Sequence, residues 1–360
     1  MEKKVAIITL HDVKNYGSAL QAYATQCYFQ NLGLETEIID FRRPWETPMG
    51  YWFYCTEKSL KGVLRNILYF PSKLIQNGRF KRFKKKNLLI SKEMYVTKED
   101  FKKNPIEADV YCTGSDQVWN SGWNNGVISE YLLDFPTRKN AKKISFAASF
   151  GDSNILDSDV EIMAPFLKEY DLLTVREKPS VEMLKSLFDL ESKEILDPTL
   201  QMNGNFWRGI CKPERKVEKK YILLIQLNRN HQFDELAVKF SKEKGFLLLR
   251  LCLRVDQIVL PGKSVIIPEV EDYVRLIRDA ECVLTDSFHA VSFCLNLEKQ
   301  FYVYYPEKYS ERLKSILSIM GLENRLLERT SDRDYIDYDR VNDLLEKKRL
   351  EARECIRTIL

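Results

Sequence analysis

A histidine at position 289 follows the end of an apolar run, and only Phe288 separates it from three small polar residues, Thr285, Asp286 and Ser287. Imidazole titrates near neutral pH, so a histidine at the mouth of a cleft can deliver a proton to a substrate. The alternative is a partly buried histidine whose nitrogens bind backbone groups. The density of polar groups at one strand end favours an acid role for His289, tuned by Asp286.

An arginine and a lysine follow a second strand-like run, within residues 174–180. The planar fork of Arg176 can bind a carboxylate or a phosphate through two parallel hydrogen bonds. Lys178 adds a second positive charge two residues further on. The alternative is a surface arginine paired with Glu177, which is the common fate of an exposed arginine.

The first strand-like run is followed by a polar, glycine-containing turn with Asn15, Tyr16 and Gly17. A turn of this kind exposes backbone N–H groups at the start of the next helix, where they attract anions. The alternative is an ordinary helix cap formed by Asn15 or Ser18.

A further turn, at residues 113–120, combines small and polar residues with a tryptophan. Ser115, Asp116 and Gln117 are suited to hydrogen bonds with a polyhydroxylated ligand, and Trp119 offers a face for stacking. The alternative is a capped turn that buries Trp119 in the core.

Strands and helices must position these turns, and strand patterns alternate with helix patterns along the sequence. Over the first 200 residues, strand patterns at 4–9, 35–40, 109–113, 143–147, 172–175 and 193–196 are interspersed with helical patterns at 18–31, 159–170 and 179–188. The alternation restarts with strands at 221–227, 246–250, 264–267, 282–285 and 301–304 and helices at 233–244, 270–280 and from about 290. This pattern predicts an α/β fold with two Rossmann-like, doubly wound domains that face a central cleft.

The charged, turn-rich stretch 203–220 is the expected domain boundary. We therefore expect an N-terminal domain at 1–205, with a basic amphipathic insertion near 51–90, and a C-terminal domain at 218–330. Residues 331–360 show helical spacing and should form a tail that packs back on the body.

Several classes of protein are excluded by missing motifs. The sequence has no G-x-G, no P-loop and no G-x-S-x-G, so the usual nicotinamide, P-loop and hydrolase signatures are absent. Its 8 cysteines are at least 12 positions apart and it has 3 histidines, so no metal site is expected. His11 and His231 are interpreted as loop or surface residues.

The positive charge of the chain is local. Residues 58–86 carry ten basic and no acidic side chains, and the apolar residues Leu60, Val63, Leu64, Ile67 and Leu68 recur there at helical spacing, followed by Pro71, which should interrupt a long helix. This segment suits the surface of an anionic membrane. The alternative is a helix packed on the first domain with a solvated basic face. No nucleic-acid-binding module accompanies the charge.

The chain resembles the polysaccharide pyruvyl transferase family. The resemblance rests on motifs that occur in order: NYGSALQAYATQ, TGSDQVWN, ISFAASFG, TVREKPS, ILDPTL, and VLTDSFHA followed by FCLNLEKQF. It implies two Rossmann-like domains of GT-B-like architecture. It also implies transfer of a pyruvyl group from phosphoenolpyruvate to two sugar hydroxyls, giving a cyclic ketal and phosphate without a further cofactor. Arg176 matches the first arginine of the family's donor site, and His289 matches its histidine.

One position departs from the family pattern, because Ser287 stands where members typically carry arginine. A charge-assisted hydrogen bond of that kind is worth about 1.5–3 kcal/mol, so another cation, such as Lys178 or Lys14, must replace it or the donor must differ. We assign catalysis to His289 as general acid and Asp116 as base. The expected donor-binding residues are Arg176, Lys178, Ser287, Asn15 and Gly17, and the acceptor-binding residues are Ser115, Gln117, Trp119 and Tyr16.

The expected acceptor is a sugar of a cell-surface polysaccharide (a capsule or exopolysaccharide) or of its lipid-pyrophosphate-linked precursor. The sequence shows no signal peptide or membrane span, so we expect a cytoplasmic protein, with peripheral binding at the inner face of the membrane through 58–86 as an open alternative. Two alternative functions stay open. They are a nucleotide-sugar-dependent glycosyltransferase and a non-catalytic, glycan-binding member of the family.

Overall fold

The structure is a computed structural model that describes residues 3–53, 60–151, 155–211, 219–306, 310–329 and 335–360, with the backbone alone at residues 53, 60, 61, 63 and 64. The described chain is an α/β fold built on two five-stranded parallel sheets. None of its described helices combines the length and apolarity needed to cross a bilayer.

The first sheet contains the strands β1 (Lys4–Ile8), β2 (Glu35–Phe41), β3 (Ile90–Tyr95), β4 (Val110–Thr113) and β5 (Lys142–Ser145). Its spatial order is β3-β2-β1-β4-β5, and all its pairs are parallel. The central strand β1 is an uninterrupted apolar run with Val5 to Ile8 fully buried, as expected of a strand covered on both faces. Successive strands are added on one side of β1 up to β3 and on its other side from β4 onwards. The reversal point of the strand order thus lies between β1 and β4, which is where ligands bind in open α/β sheets.

A short two-stranded sheet continues this layer. It consists of β6 (Thr174–Val175) and β7 (Lys193–Glu194). Isolated bridges from Ile144 to Leu172 and from Ala148 to Val175 join it to the chain that leaves β5. Arg176 therefore follows a strand end on the same layer as the turn after β4.

The second sheet repeats this topology with β8 (Tyr221–Ile225), β9 (Leu247–Cys252), β10 (Lys263–Ile266), β11 (Cys282–Thr285) and β12 (Gln300–Val303). Its order is β10-β9-β8-β11-β12. Strand β8, with the sequence YILLI, is buried along its whole length. The strand order reverses between β8 and β11, so the turn before His289 lies at the second reversal point.

The α-helices are α1 (Tyr16–Asn31), α2 (Pro48–Phe53), α3 (Leu60–Asn87), α4 (Lys98–Lys103), α5 (Ser121–Asn124), α6 (Asp157–Leu167), α7 (Lys178–Phe188), α8 (Pro198–Gln201), α9 (Gly204–Ile210), α10 (His231–Lys244), α11 (Val270–Asp279), α12 (Phe288–Asn296), α13 (Glu311–Met320) and α14 (Tyr338–Arg357). The α/β fold class with two doubly wound, Rossmann-like sheets is thus confirmed. That the two sheets face a central cleft stays a prediction.

The chain divides into two compact units whose segments interleave. The first unit is Met1–Tyr51, Lys84–Met202 and Leu345–Leu360, and the second is Trp52–Phe83 and Asn203–Leu344. The division at Met202 lies close to the expected boundary. The basic insertion, expected in the N-terminal domain, is grouped mostly with the second unit, and the last residues of the chain return to the first.

Helix α3 corrects two expectations about the basic segment. The helix continues through Pro71. Proline removes one i→i−4 hydrogen bond, and the carbonyl that loses it belongs to the exposed Ile67, where water can replace the bond. The helix also packs within the second unit, where Gln76 donates to the Leu253 carbonyl at 2.9 Å. Of the predicted apolar stripe, the side chains of Leu60, Val63 and Leu64 lie outside the described residues.

Candidate active site

The turn after β1 caps a helix in the way that the alternative interpretation expected. Asn15 is the N-cap of α1, and its Oδ1 accepts hydrogen bonds from the N–H groups of Gly17 at 2.8 Å and Ser18 at 3.4 Å. Tyr16 and Gly17 are buried, whereas Asn15 is exposed. These two N–H groups therefore have a partner within the turn.

A cluster of charges surrounds this turn in the first unit. Asp12 lies 2.6 Å from Lys14, 2.8 Å from Lys84 and 3.2 Å from Arg42. Burial raises the pKa of Asp12, but Lys14 and Lys84 outweigh it and lower the pKa to about 2. Burial lowers the pKa of Lys14, and this effect outweighs the attraction of Asp12. Repulsion from Lys84 and Arg42 lowers the pKa further.

His11 belongs to the same cluster and lies in the loop between β1 and α1, so of the two expected settings, loop or surface, the loop is the one observed. The residue is buried, and its Nε2 lies 2.8 Å from Oδ1 of Asp40. Burial raises the pKa of Asp40, but the hydrogen bonds from His11 and Arg42 hold it well below its usual range. No local pattern of residues predicts this pairing, because Asp40, near the end of β2, is 29 residues from His11. His231, by contrast, is exposed as expected.

The turn after β4 holds Asp116 in an unusual conformation. Its φ is +73°, in the left-handed region that residues other than glycine seldom adopt. The hydroxyl of Ser18 donates to Oδ2 of Asp116, and the N–H of Gln117 donates to Oδ1 at 2.9 Å. Gly114 precedes the turn and has no room for a side chain, because a Cβ there would lie 2.8 Å from the Cβ of Thr9. Close packing therefore fixes where the Asp116 carboxylate lies.

Arg176 lies at the centre of a buried network, not in an exposed ion pair. Its Nε donates to Glu177 at 2.8 Å and its Nη1 donates to Asp197 at 2.9 Å, and all three residues are buried. Burial would lower the pKa of Arg176, but Glu177, Asp197 and Asp116 raise it above its ordinary value. The guanidinium is thus permanently charged and held by two carboxylates.

Hydrogen bonds from hydroxyl groups complete this network and connect it to the β4 turn. Ser149 donates to Glu177 at 2.9 Å, and Ser115 donates to Asp197 at 3.2 Å. Asp197 also caps α8 by accepting from the N–H of Thr199 at 2.9 Å. The structure therefore brings Ser115, Asp116 and Arg176 together in the first unit. Lys178 begins α7 and is exposed.

The stacking role predicted for Trp119 is contradicted by its position. The side chain is buried, its Nε1 donates to the Tyr131 carbonyl at 3.1 Å, and its ring packs against Phe150 and Tyr170. Trp119 is a core residue, as the alternative interpretation expected. Gln117 is half-buried, and its Oε1 accepts from Nδ2 of Asn120 at 2.5 Å.

An exposed tryptophan nearby was missed by sequence reasoning. The Arg43 guanidinium lies 4.2 Å from the ring centre of Trp123 and 5.1 Å from that of Trp45, and Trp123 is 38% exposed. Arg43 also donates to the side chain of Asn124 at 2.6 Å, and Asn124 donates to the Gln117 carbonyl at 3.2 Å. The sequence does contain a signal of this exposure, because Trp123 is flanked by the turn formers serine, glycine and asparagine and not by apolar residues.

In the second unit, the turn after β11 places Asp286 and Ser287 in structural roles. Oδ1 of Asp286 accepts from the N–H of Leu227 at 2.7 Å, and Oδ2 accepts from the N–H of Asn228 at 2.8 Å. Burial raises the pKa of Asp286 despite these bonds. Its carboxylate thus holds the neighbouring turn after β8, and the tuning of His289 by Asp286 stays a prediction.

Ser287 is the N-cap of α12. Its Oγ accepts from the N–H of Ala290 at 3.4 Å, and its own N–H donates to Oγ1 of Thr285 at 3.0 Å. A hydrogen bond with Ser287 also lowers the pKa of the buried Tyr273, although burial has the larger effect and raises it. His289 follows in the first turn of α12, is buried, and meets the ring of Phe288 edge-on.

A surface groove of about 490 Å³ runs along α10 in the second unit, between Arg229, Val238, Lys242 and Pro261. None of the site residues predicted from the sequence lines it. Among the described residues, no group of three or more His, Cys, Asp or Glu side chains is placed to hold a metal ion.

Two doubly wound parallel sheets, with polar and ionisable residues at both reversal points, define a Rossmann-like α/β protein of two units. The family model of polysaccharide pyruvyl transferases matches residues 15–308, and the chain belongs to this family. It is therefore a member of a transferase family. No curated protein sequence matches it.

Solved structures resemble the chain along its whole length. A glycosyltransferase from Rickettsia africae ESF-5 aligns with a TM-score of 0.50 and 13% identity, covering 99% of both chains. A co-structure of MnaA and UDP from S. aureus aligns with a TM-score of 0.49 and 12% identity, covering 98% of this chain and 97% of that one. The first likeness concerns the fold alone, and the GT-B-like class expected for the chain is confirmed at that level.

Proposed function

We propose that this protein transfers the pyruvyl group of phosphoenolpyruvate to two hydroxyls of a sugar, forming a cyclic ketal and releasing phosphate. The observation that carries the proposal is the position of the family's motif residues. Asp116 lies in the turn after β4 of the first sheet, and Arg176 follows β6 of the two-stranded sheet that continues this layer. His289 lies in the first turn of the helix after the reversal point of the second five-stranded sheet. We place the reaction in the cytoplasm, where phosphoenolpyruvate is made.

The donor carries a carboxylate and a phosphate, and both need positive charge. Arg176 is assigned to the donor because it matches the family's arginine, although Glu177 and Asp197 already balance its charge. Lys14 is the second cation that we assign, in place of the arginine that Ser287 replaces. Two further cations, Lys84 and Arg42, accompany it in the cluster around Asp12.

The chemistry begins with a proton. His289 as general acid protonates the methylene carbon of the donor, which leaves an oxocarbenium-like centre at the adjacent carbon. A sugar hydroxyl attacks that centre, phosphate departs, and a second hydroxyl closes the ketal. The two protons released by the hydroxyls balance the one delivered to carbon and the one that leaves with phosphate. No redox step is involved.

Asp116 is the proposed base for the first hydroxyl. Its carboxylate is positioned by Ser18 and by the N–H of Gln117. Trp123 replaces Trp119 as the proposed stacking face, because it is partly exposed beside Gln117 and Asn124. The acceptor class that we propose is a sugar of a cell-surface polysaccharide or of its lipid-linked precursor.

The test compares His289→Gln with His231→Gln, an exposed histidine of the same unit that serves as the matched control. The protein is incubated with phosphoenolpyruvate and candidate glycans, and the products are read as inorganic phosphate and as the ketal mass. We expect kcat to fall by about 10²–10⁴-fold in His289→Gln, which is the usual worth of a general acid, with KM for phosphoenolpyruvate little changed.

The control should retain wild-type turnover. Wild-type turnover in His289→Gln would reject the acid role. Release of a nucleoside diphosphate from a nucleotide sugar, without ketal, would instead identify a glycosyltransferase. Glycan binding without any product would identify a non-catalytic member of the family.

A further inference from the structure

Helix α3 exposes apolar side chains on one face. Ile67, Phe70 and Leu74 are 65%, 52% and 57% exposed. They are three and four residues apart, so they lie on the same side of the helix. Three large apolar side chains in a row on one exposed helix face form a continuous patch, which in a protein surface marks a place of contact.

The opposite face of the helix is hydrogen-bonded to other residues of the second unit. Ser72 accepts from the N–H of Val255 at 2.9 Å, and Gln76 donates to the Leu253 carbonyl at 2.9 Å. These bonds fix the rotation of α3 about its axis. Phe80 and Phe83 lie on the same side as Ser72 and Gln76 and are buried, so the exposed apolar residues are additional to the apolar stripe that a surface helix normally turns inward.

Positive charge continues along the exposed face. Lys81, seven residues beyond Leu74, is exposed, and no ion pair of Lys81 is found within the described ranges. Arg82 pairs with Glu269, yet its side chain remains 64% exposed. The face thus passes from apolar to cationic over about four turns, and no acidic residue occurs between positions 58 and 86.

The segment that binds Ser72 adds to the apolar surface of the second unit. It runs over Val255–Val259, and its last residues, Ile258 and Val259, are both strongly exposed. Helices that lie at the surface of an anionic bilayer combine exposed apolar residues with nearby positive charge, and this surface does so too.

We propose that α3 docks this protein on an anionic lipid membrane. The docking face consists of Ile67, Phe70, Leu74, Lys81 and Arg82. Its apolar residues enter the boundary between headgroups and acyl chains, and its cations bind lipid phosphates. A second copy of the chain would set like charges against each other, and a nucleic acid would leave the apolar residues without a partner.

The test is flotation of the full-length protein with vesicles of phosphatidylcholine alone or mixed with phosphatidylglycerol. We expect flotation with the anionic vesicles and much less with the neutral ones. Lys81→Gln/Arg82→Gln should weaken binding about 25-fold, because each cation near an anionic surface is worth about fivefold. Ile67→Ser/Phe70→Ser/Leu74→Ser should abolish flotation.

Matched controls come from the first unit. Arg138→Gln/Lys139→Gln removes two basic residues that are adjacent in sequence, as Lys81 and Arg82 are. Arg138 has an acidic partner, as Arg82 does. Leu156→Ser/Ile162→Ser removes exposed apolar side chains from another surface. Both controls should bind like the wild type. All the altered residues are exposed, and thermal melts of each variant confirm folding.

Four results would overturn the proposal. They are equal binding to neutral and anionic vesicles, equal losses in the control variants, a concentration-dependent dimer that the triple serine variant abolishes, and tighter binding to a short DNA duplex than to vesicles at the same salt. The dimer would assign the face to a second copy of the chain, and the DNA result to a nucleic acid.

Discussion

Replacement of Arg176 by methionine should reduce the stability of the protein as well as its activity. Arg176 is 4% exposed and donates to Glu177 and Asp197, which are buried themselves. Removing one partner of a buried ion pair leaves uncompensated charge and usually costs about 3–5 kcal/mol. We expect a loss near the lower end, about 3 kcal/mol, because Ser149 and Thr199 still donate to the two carboxylates.

Urea unfolding of the full chain, followed by circular dichroism, measures this loss. The informative companion is Arg176→Met/Glu177→Gln/Asp197→Asn, which removes the buried charges together with the arginine. We expect it to regain most of the stability, since a buried ion pair is replaceable by neutral groups of similar size. Affinity for phosphoenolpyruvate, measured by calorimetry, should stay low in both variants. Unchanged unfolding in Arg176→Met would refute the reasoning, because the network would then not depend on that charge.

Three further substitutions test other parts of the first and second units. Asp12→Asn should make the free energy of unfolding depend less on pH below about pH 5. The pKa of Asp12 is lowered to about 2, so its carboxylate stabilises the fold above its ordinary pKa of 3.8 and stops doing so as the pH falls toward 2. The difference in unfolding free energy between wild type and Asp12→Asn should shrink by about 2 kcal/mol between about pH 5 and pH 2, and a constant difference would contradict this. Trp123→Ala should raise KM for the sugar acceptor with little change in Tm, whereas Trp119→Ala should lower Tm; equal effects on acceptor KM would contradict the assignment. Ser287→Ala should cost about 1 kcal/mol of stability through the lost cap, and Ser287→Thr should keep most of it; urea unfolding of both variants decides.

The central strands could be predicted from sequence, whereas the edge strand could not. Strands β1 and β8 are continuous apolar runs because both faces of a parallel sheet are covered. Strand β3, Ile90–Tyr95, was missed since Lys92, Glu93 and Met94 are exposed and leave no apolar run or clean alternation. Such a strand forms because β2 offers it a hydrogen-bonding edge, which is a property of the fold and not of its own residues.

The candidate site was predictable as a set of turns and not as a set of contacts. Arg176 was identified, but its partner Asp197 lies 21 residues away and carries no local signal. Trp119 and Trp123 lie four residues apart in one turn-rich stretch, and only packing decides that the first is core and the second partly exposed. Pro71 failed as a helix breaker because its lost hydrogen bond falls on an exposed turn of α3.

Charge balance favours different parts of the first unit for the two anionic groups of the proposed donor. Around Arg176, one guanidinium faces the carboxylates of Glu177, Asp197 and Asp116, so this cluster has a surplus of negative charge. That environment suits the singly charged carboxylate of the donor better than it suits the more highly charged phosphate. The turn after β1 differs, since Lys14, Arg42 and Lys84 accompany Asp12 and Asp40, which leaves one positive charge in excess. The phosphate of the proposed donor is therefore expected beside Lys14.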